Sequence, residues 1–345
     1  MSSSSPADAD RVVAADAASA TGSAAAPKTA PASAAAPAPA AVPASRIASG
    51  LIFSLGAYVL WGFLPVYFRL LAPTGAFEIV AYRILFSVVF CAVLLTITRG
   101  WGRLAALVRQ PRILVTLAIA GILIYVNWQV FVLAALTGHV VEGALGYFIN
   151  PIFTVLLGVI FLRERLRPAQ WIALGISAAA IVIIAVGYGA FPWIALALTL
   201  SFGLYGFIKK RVGGQVDAIG GLTIETAWLT PVAVVQLALV GTSSGLTLTA
   251  GGTGHTVLIV LVGVATGLPL LFFAAAAARL PLIAIGLTQY LTPVLQFIFG
   301  VVFLGEAMST TRWIGFVLVW VALIVLTVDL IRTAQGQRRA SRAAG

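Results

Sequence analysis

Few residues of this chain are equipped for chemistry, and most of them stand where polarity is costly. Arg83 and Glu225 each lie inside a long apolar run. An ionised side chain at the centre of a hydrocarbon layer costs roughly 2.5–3.5 kcal/mol on insertion scales, so each calls for a partner, a wet cavity or a ligand. Glu142, Gly146 and Asn150 recur every fourth residue with Tyr147 beside them, a polar stripe on an otherwise apolar helix. Gln289, Thr292 and Gln296 form a second stripe. Such stripes either line a cavity or join helices through hydrogen bonds worth about 0.6 kcal/mol each, and cavity lining is the favoured reading. Tyr58, Trp61, Asn127 and Trp128 add rings and an amide near mid-run, where an aromatic more often packs than binds. The candidate substrate-contacting set is therefore Tyr58, Trp61, Arg83, Asn127, Trp128, Tyr147, Asn150, Glu225, Gln289, Thr292 and Gln296. Glu142 and Glu225 are the carboxylates placed to carry a coupled proton, and Pro151 and Pro293 are expected helix kinks. No catalytic residue is expected.

Helices must position these groups. Hydrophobic residues make up 61% of the 345 and charged residues 9%, and the mean hydropathy is +1.07, more apolar surface than a soluble core uses. A helix crossing about 30 Å of hydrocarbon needs roughly 20 apolar residues, and such runs recur from Gly50 to Leu330. Runs such as 113–136 are apolar on every face, unlike the alternating strands of a membrane barrel. The fold class is an all-α polytopic membrane protein. Its ten spans are expected at about 50–68, 76–98, 113–136, 140–162, 168–188, 191–208, 219–240, 256–278, 282–303 and 313–330. Residues 1–46, rich in Ala, Pro and Ser, read as a disordered cytoplasmic tail without the apolar core of a signal peptide, and 332–345 as a basic cytoplasmic tail.

Charge sets the topology. With the N-terminus inside, sixteen Arg and Lys from Arg46 to Arg342 border inside segments, against only Arg69 and Arg312 outside, which places both termini in the cytoplasm of the inner membrane. An offset of 142 residues lays Gly158-Val-Ile-Phe-Leu162 on Gly300-Val-Val-Phe-Leu304, Glu164 on Glu306, Trp171 on Trp313 and Pro151 on Pro293. The chain thus divides into five-span halves at 47–188 and 189–331, and an odd number of spans per half inverts the second. Arg83 and Glu225 match across the same offset, each roughly 10 Å deep from opposite faces. They are expected to meet directly or through a bridging residue or substrate; a buried charge network that only fixes packing is the alternative.

Several stretches carry a resemblance to a known family: Gly56-Ala-Tyr-Val-Leu-Trp-Gly-Phe-Leu-Pro65, Ala81-Tyr-Arg-Ile-Leu-Phe-Ser87, Leu162-Arg-Glu-Arg-Leu166, Ser201-Phe-Gly-Leu-Tyr-Gly206, Gln289-Tyr-Leu-Thr-Pro293 and, most specific, Gly138-His-Val-Val-Glu-Gly-Ala-Leu-Gly-Tyr-Phe-Ile-Asn-Pro151. Over about residues 50–330 the chain resembles the EamA-domain drug/metabolite transporters of the RarD type. The resemblance implies ten helices in two inverted repeats, a central cavity opening alternately to either side, and export of a small metabolite or drug-like molecule.

Other classes fit less well. The net charge of +11 is dispersed in short clusters, not gathered into a nucleic-acid face. No G-x-x-x-x-G-K-[ST] loop is present for ATP, and Cys91, His139 and His255 are isolated, so neither cofactor nor metal is expected. The expected partners are a small-molecule substrate and membrane lipids, with a homodimer compatible. A membrane-embedded enzyme acting on a lipid-soluble molecule, or a channel, is the alternative. Glu78 is expected to reach headgroup water, and the polar, Gly-rich stretch 241–255 has no derived role.

Overall fold

Proline and glycine punctuate the first span. Ala44–Gly62 (α1) gives way at Phe63 to Leu64–Leu70 (α2), bent by 42°, because Pro65 in the first turn of α2 has no N–H with which to continue the ladder. The computed structural model describes residues 44–343 apart from 163–165, 189–190, 213–214, 278 and 281–287. The expected tail is thus outside the described residues up to residue 43, as are Glu164 and residues 282–287 of the ninth span. The remaining helices are Ala76–Ile97 (α3), Trp101–Val108 (α4), Pro111–Leu136 (α5), Val140–Leu162 (α6), Pro168–Tyr188 (α7), Trp193–Val212 (α8), Ala218–Ser243 (α9), Gly252–Ala277 (α10), Leu291–Ile298 (α11) and Thr310–Ala343 (α12). A π-turn at Phe299–Phe303 prolongs α11.

Among the described residues, every expected span maps onto helix. Five helices are each long and apolar enough to cross a membrane, α1 with α2 makes a broken span, and four shorter apolar helices complete the set among the described residues. Large apolar side chains such as Ile52, Leu239 and Val302 are exposed around the bundle, as a lipid-facing belt requires. Two stretches of helix lie beyond the expected spans. The helix of the last span runs on through the basic tail to Ala343, and α4 forms where only a loop is expected. α4 is held by Leu107, which packs with Ile113, Leu117, Val212 and Ile224.

The principal packing pairs obey the 142-residue repeat. α3–α9 and α7–α12 pair equivalent helices. The contacts α6–α8 and α11–α1 exchange under the repeat, as do α5–α8 with α10–α1 and α5–α9 with α10–α3. All of these pairs join one half to the other. The two halves are therefore interlocked, and Arg83 and Glu225 sit on α3 and α9, a pair that the repeat maps onto itself.

Candidate functional site

Four of the expected residues come together on the first half. Arg83 is 3% exposed, its guanidinium 4.2 Å from the centre of the Trp128 ring and 5.7 Å from Phe68. Its Nε and Nη1 have no hydrogen-bond partner among the described residues. Asn127, one residue before Trp128 on α5, spends its whole amide: Oδ1 accepts from the Tyr147 hydroxyl at 2.9 Å, and Nδ2 donates to Ser201 Oγ at 3.2 Å and the Leu198 carbonyl at 3.3 Å. The rotamers of Tyr147 and Asn127 are thereby fixed from both halves.

A row of side-chain contacts, the path along α8, leads on from there. Tyr147 packs edge-on against Phe131 and Phe202, and Phe202 against Tyr205. Ser201, Tyr205 and Lys209 recur every fourth residue, so they share one face of α8. At its end the Lys209 ammonium donates to Glu225 Oε1 at 2.6 Å and the Tyr205 hydroxyl to Oε2 at 3.2 Å. Gly221, one turn before Glu225, leaves the space: a Cβ there would lie 2.7 Å from Lys209 Nζ. Glu225 is 1% exposed and its counter-ion is Lys209, so of the two expected alternatives the direct pair with Arg83 is not formed. Sequence reasoning counted Lys209 only as a topology charge, although its spacing from Ser201 and Tyr205 is visible in the chain.

The other candidates sit in helix seams. Glu142 Oε1 accepts from Ile194 N in the first turn of α8, the Gly146 carbonyl accepts from Thr199 Oγ1, and Asn150 Oδ1 lies 3.3 Å from where a Cβ on Gly203 would stand. A Cβ on Gly146 would meet the Ala195 carbonyl at 2.7 Å, so only glycine permits this approach. The stripe of Glu142, Gly146 and Asn150 is a helix-joining seam in this conformation, and Glu142 satisfies the N-terminus of α8. On the other side, Thr292 Oγ1 donates to the Tyr58 carbonyl and Gln296 Nε2 to the Trp61 carbonyl, while the rings of Tyr58 and Trp61 pack with Phe273. Gln289 is half-buried just before α11. Pro151 is interior to α6, whereas Pro293 falls in the first turn of α11, where its missing N–H breaks nothing.

One end of the bundle is fastened by groups that sequence reasoning left unassigned. Glu78 is 1% exposed instead of snorkelling: its carboxylate accepts from Thr247 N at 2.6 Å and Thr247 Oγ1 at 3.0 Å. Thr74 Oγ1 bonds with Thr247 Oγ1 and with His255 Nε2, which also lies 3.1 Å from the Leu71 carbonyl. The stretch 241–255 is thus pinned to the start of α3. Glu306, after the π-turn, accepts from Val140 N at 2.7 Å and Val141 N at 2.9 Å, closing the N-terminus of α6. Burial pushes its carboxyl up from the usual carboxylate range, against the pull of those two donors.

The chain and its fold have counterparts. Residues 48–186, the stretch of the first five spans, match the EamA-like transporter family. "Protein RarD" of Streptomyces exfoliatus is 44% identical over 296 residues, covering 86% of this chain and 93% of its own. An "uncharacterized transporter" of Vibrio cholerae is 38% identical over 292 residues, covering 85% and 96%. A solved crystal structure superposes with a TM-score of 0.54 at 20% identity over 81% of this chain and 98% of its own, a likeness of fold alone. Identity at this level over nearly the whole helical bundle places the chain in the EamA-like transporter family, among its RarD-type proteins.

Proposed function

We propose that this membrane protein is a secondary transporter that exports a small metabolite or drug-like molecule across the cytoplasmic membrane by alternating access, with both termini in the cytoplasm. The observation that carries this reading is the path along α8, where buried polar side chains from both halves meet between Asn127 and Glu225. A bundle built for stability alone gains from apolar residues at such depth. Interlocked inverted halves can rock against each other and open the path first at one end, then at the other. Glu225, shared between Lys209 and Tyr205, is the carboxylate that exchanges a proton or a partner during that motion. On this reading the Lys209 end faces the cytoplasm and the Thr247 end the outside, a sidedness that the arginine-rich segments support. A membrane enzyme needs clustered acids, histidines or an activated nucleophile, and its relatives' names support transport instead.

Reconstitution into liposomes tests this. Counterflow of radiolabelled amino acids, nucleosides and monocarboxylates is expected to be saturable and trans-stimulated for at least one class. Flux that rises linearly with concentration would make the protein a channel, and chemical conversion of the probe an enzyme. Reporter fusions after Arg46 and Gly345 are expected to be active only in the cytoplasm; two periplasmic signals would invert the topology.

A further inference from the structure

The described acids are all engaged, and none of them with Arg83. Glu78 holds Thr247, Glu142 caps α8, Asp217 caps α9 through Gly220 N, Glu225 pairs with Lys209, Glu306 caps α6, and Asp329 pairs with Arg167. Of the other four acids in the sequence, Asp8, Asp10 and Asp16 belong to the N-terminal stretch and Glu164 stands among Arg163, Arg165 and Arg167. Lys209 and Glu225 cancel each other, so the path along α8 carries one net positive charge, on a guanidinium that is 97% buried by its 3% exposure. That guanidinium lies over the Trp128 ring, which occupies its face and leaves the in-plane N–H donors of Nε and Nη1 unspent.

Resting on the transporter reading above, we propose that Arg83 receives the substrate, and that the substrate is a small organic monoanion held by its carboxylate. A single carboxylate neutralises the one spare charge and can accept a charge-assisted bond from Nε or Nη1, the nitrogens left without a partner. A phosphate dianion would leave a net negative charge in the hydrocarbon. A zwitterion brings an ammonium that needs an anionic partner of its own, and every described acid is already engaged. The rest of the molecule meets rings, since Phe68, Phe131 and Tyr147 follow one another at centroid spacings of 6.3 and 5.5 Å from the Arg83 site inward. The apolar body of a carboxylate is suited to that wall.

The charge also has a stability signature. A residue kept for a ligand and left without a counter-ion weighs against the unliganded fold, so its removal relieves the protein, whereas a structural arginine does the opposite.

The test uses the full chain in lipid nanodiscs with benzoate, its neutral isostere benzamide, hexanoate and inorganic phosphate as probes. Benzoate or hexanoate is expected to raise the thermal unfolding midpoint saturably, and benzamide and phosphate not to. Arg83→Gln is expected to keep or raise the midpoint without ligand and to weaken carboxylate binding by roughly tenfold or more, the loss of one charge-assisted contact. Arg83→Lys, which keeps the charge but not the planar edge, is expected to fall between. Equal stabilisation by benzamide, a preference for phosphate, no saturable effect of either carboxylate, or unchanged binding in Arg83→Gln each overturns the proposal. A lower midpoint for unliganded Arg83→Gln also overturns it, assigning Arg83 to packing. Saturable counterflow of a neutral solute indifferent to Arg83 leaves the transporter reading standing and removes the anion. Arg83-dependent benzoate binding without any counterflow does the reverse.

Discussion

Positions 83 and 225 are equivalent under the repeat and sit on two helices that pack as equivalents, yet the two halves treat their charge in opposite ways. Glu225 is saturated: an ammonium and a phenol fill both carboxylate oxygens. Arg83 has rings against its face and two nitrogens, Nε and Nη1, without a hydrogen-bond partner among the described residues. Symmetry of fold therefore does not extend to symmetry of chemistry. A duplicated scaffold supplies two equivalent buried positions, and divergence of the flanking helix decides which is closed and which stays available. The deciding residues lie on α8, whose repeat-equivalent face on α1 and α2 offers Val59, Phe63 and Tyr67 in place of Ser201, Tyr205 and Lys209.

The largest effect is expected from breaking the closed side. Lys209→Met leaves a buried carboxylate without its counter-ion and should cost about 3 kcal/mol, read as a drop in the unfolding midpoint, with Lys209→Arg retaining most of the stability. An unchanged Lys209→Met protein would mean that Glu225 is not closed at all, and the contrast with Arg83 would vanish. A finer comparison sets the two tyrosines against each other. Tyr205→Phe removes a hydrogen bond to a charged acceptor and should cost about 1.5 kcal/mol, at the low end for such bonds because it is 3.2 Å long. Tyr147→Phe removes a neutral one to Asn127, an expected loss of about 1 kcal/mol. Both are measurable by denaturant titration in micelles; a greater loss for Tyr147→Phe would place the tighter network on the first half.

Hydropathy made the spans legible, because a run such as 113–136 has no other physical use. The two intramembrane charges were legible for the same reason. What escaped reading depended on partners brought near by folding. Lys209 ends its apolar run and looks like a topology signal until the helix turns it toward Glu225. Glu78 and Thr247 are 169 residues apart, and no periodicity links them. The stripe of Glu142, Gly146 and Asn150 was visible as a stripe, but whether such a face meets water or another helix is settled by its neighbour. Here Gly203 and the Ala195 carbonyl fill that role. The amphipathic α4 was hidden by its brevity, eight residues held by tertiary contact with Leu107.

If the bundle works by the alternating access proposed above, the fastening of Thr247 and His255 to Glu78, Thr74 and the Leu71 carbonyl bears on speed, not on selectivity. None of these groups belongs to the path along α8, so they leave untouched the choice of what is carried. Parting that end of the bundle exchanges their five bonds for bonds to water, a net loss of about 1 kcal/mol each, and all five broken together thin the open population by several thousandfold, on the order of 10³–10⁴. A cycle that must pass through so rare a state turns over slowly at saturation while its half-saturating concentration is set elsewhere. On that proposal the loop between α9 and α10 would govern turnover, and the rate could be tuned by residues that never meet the substrate.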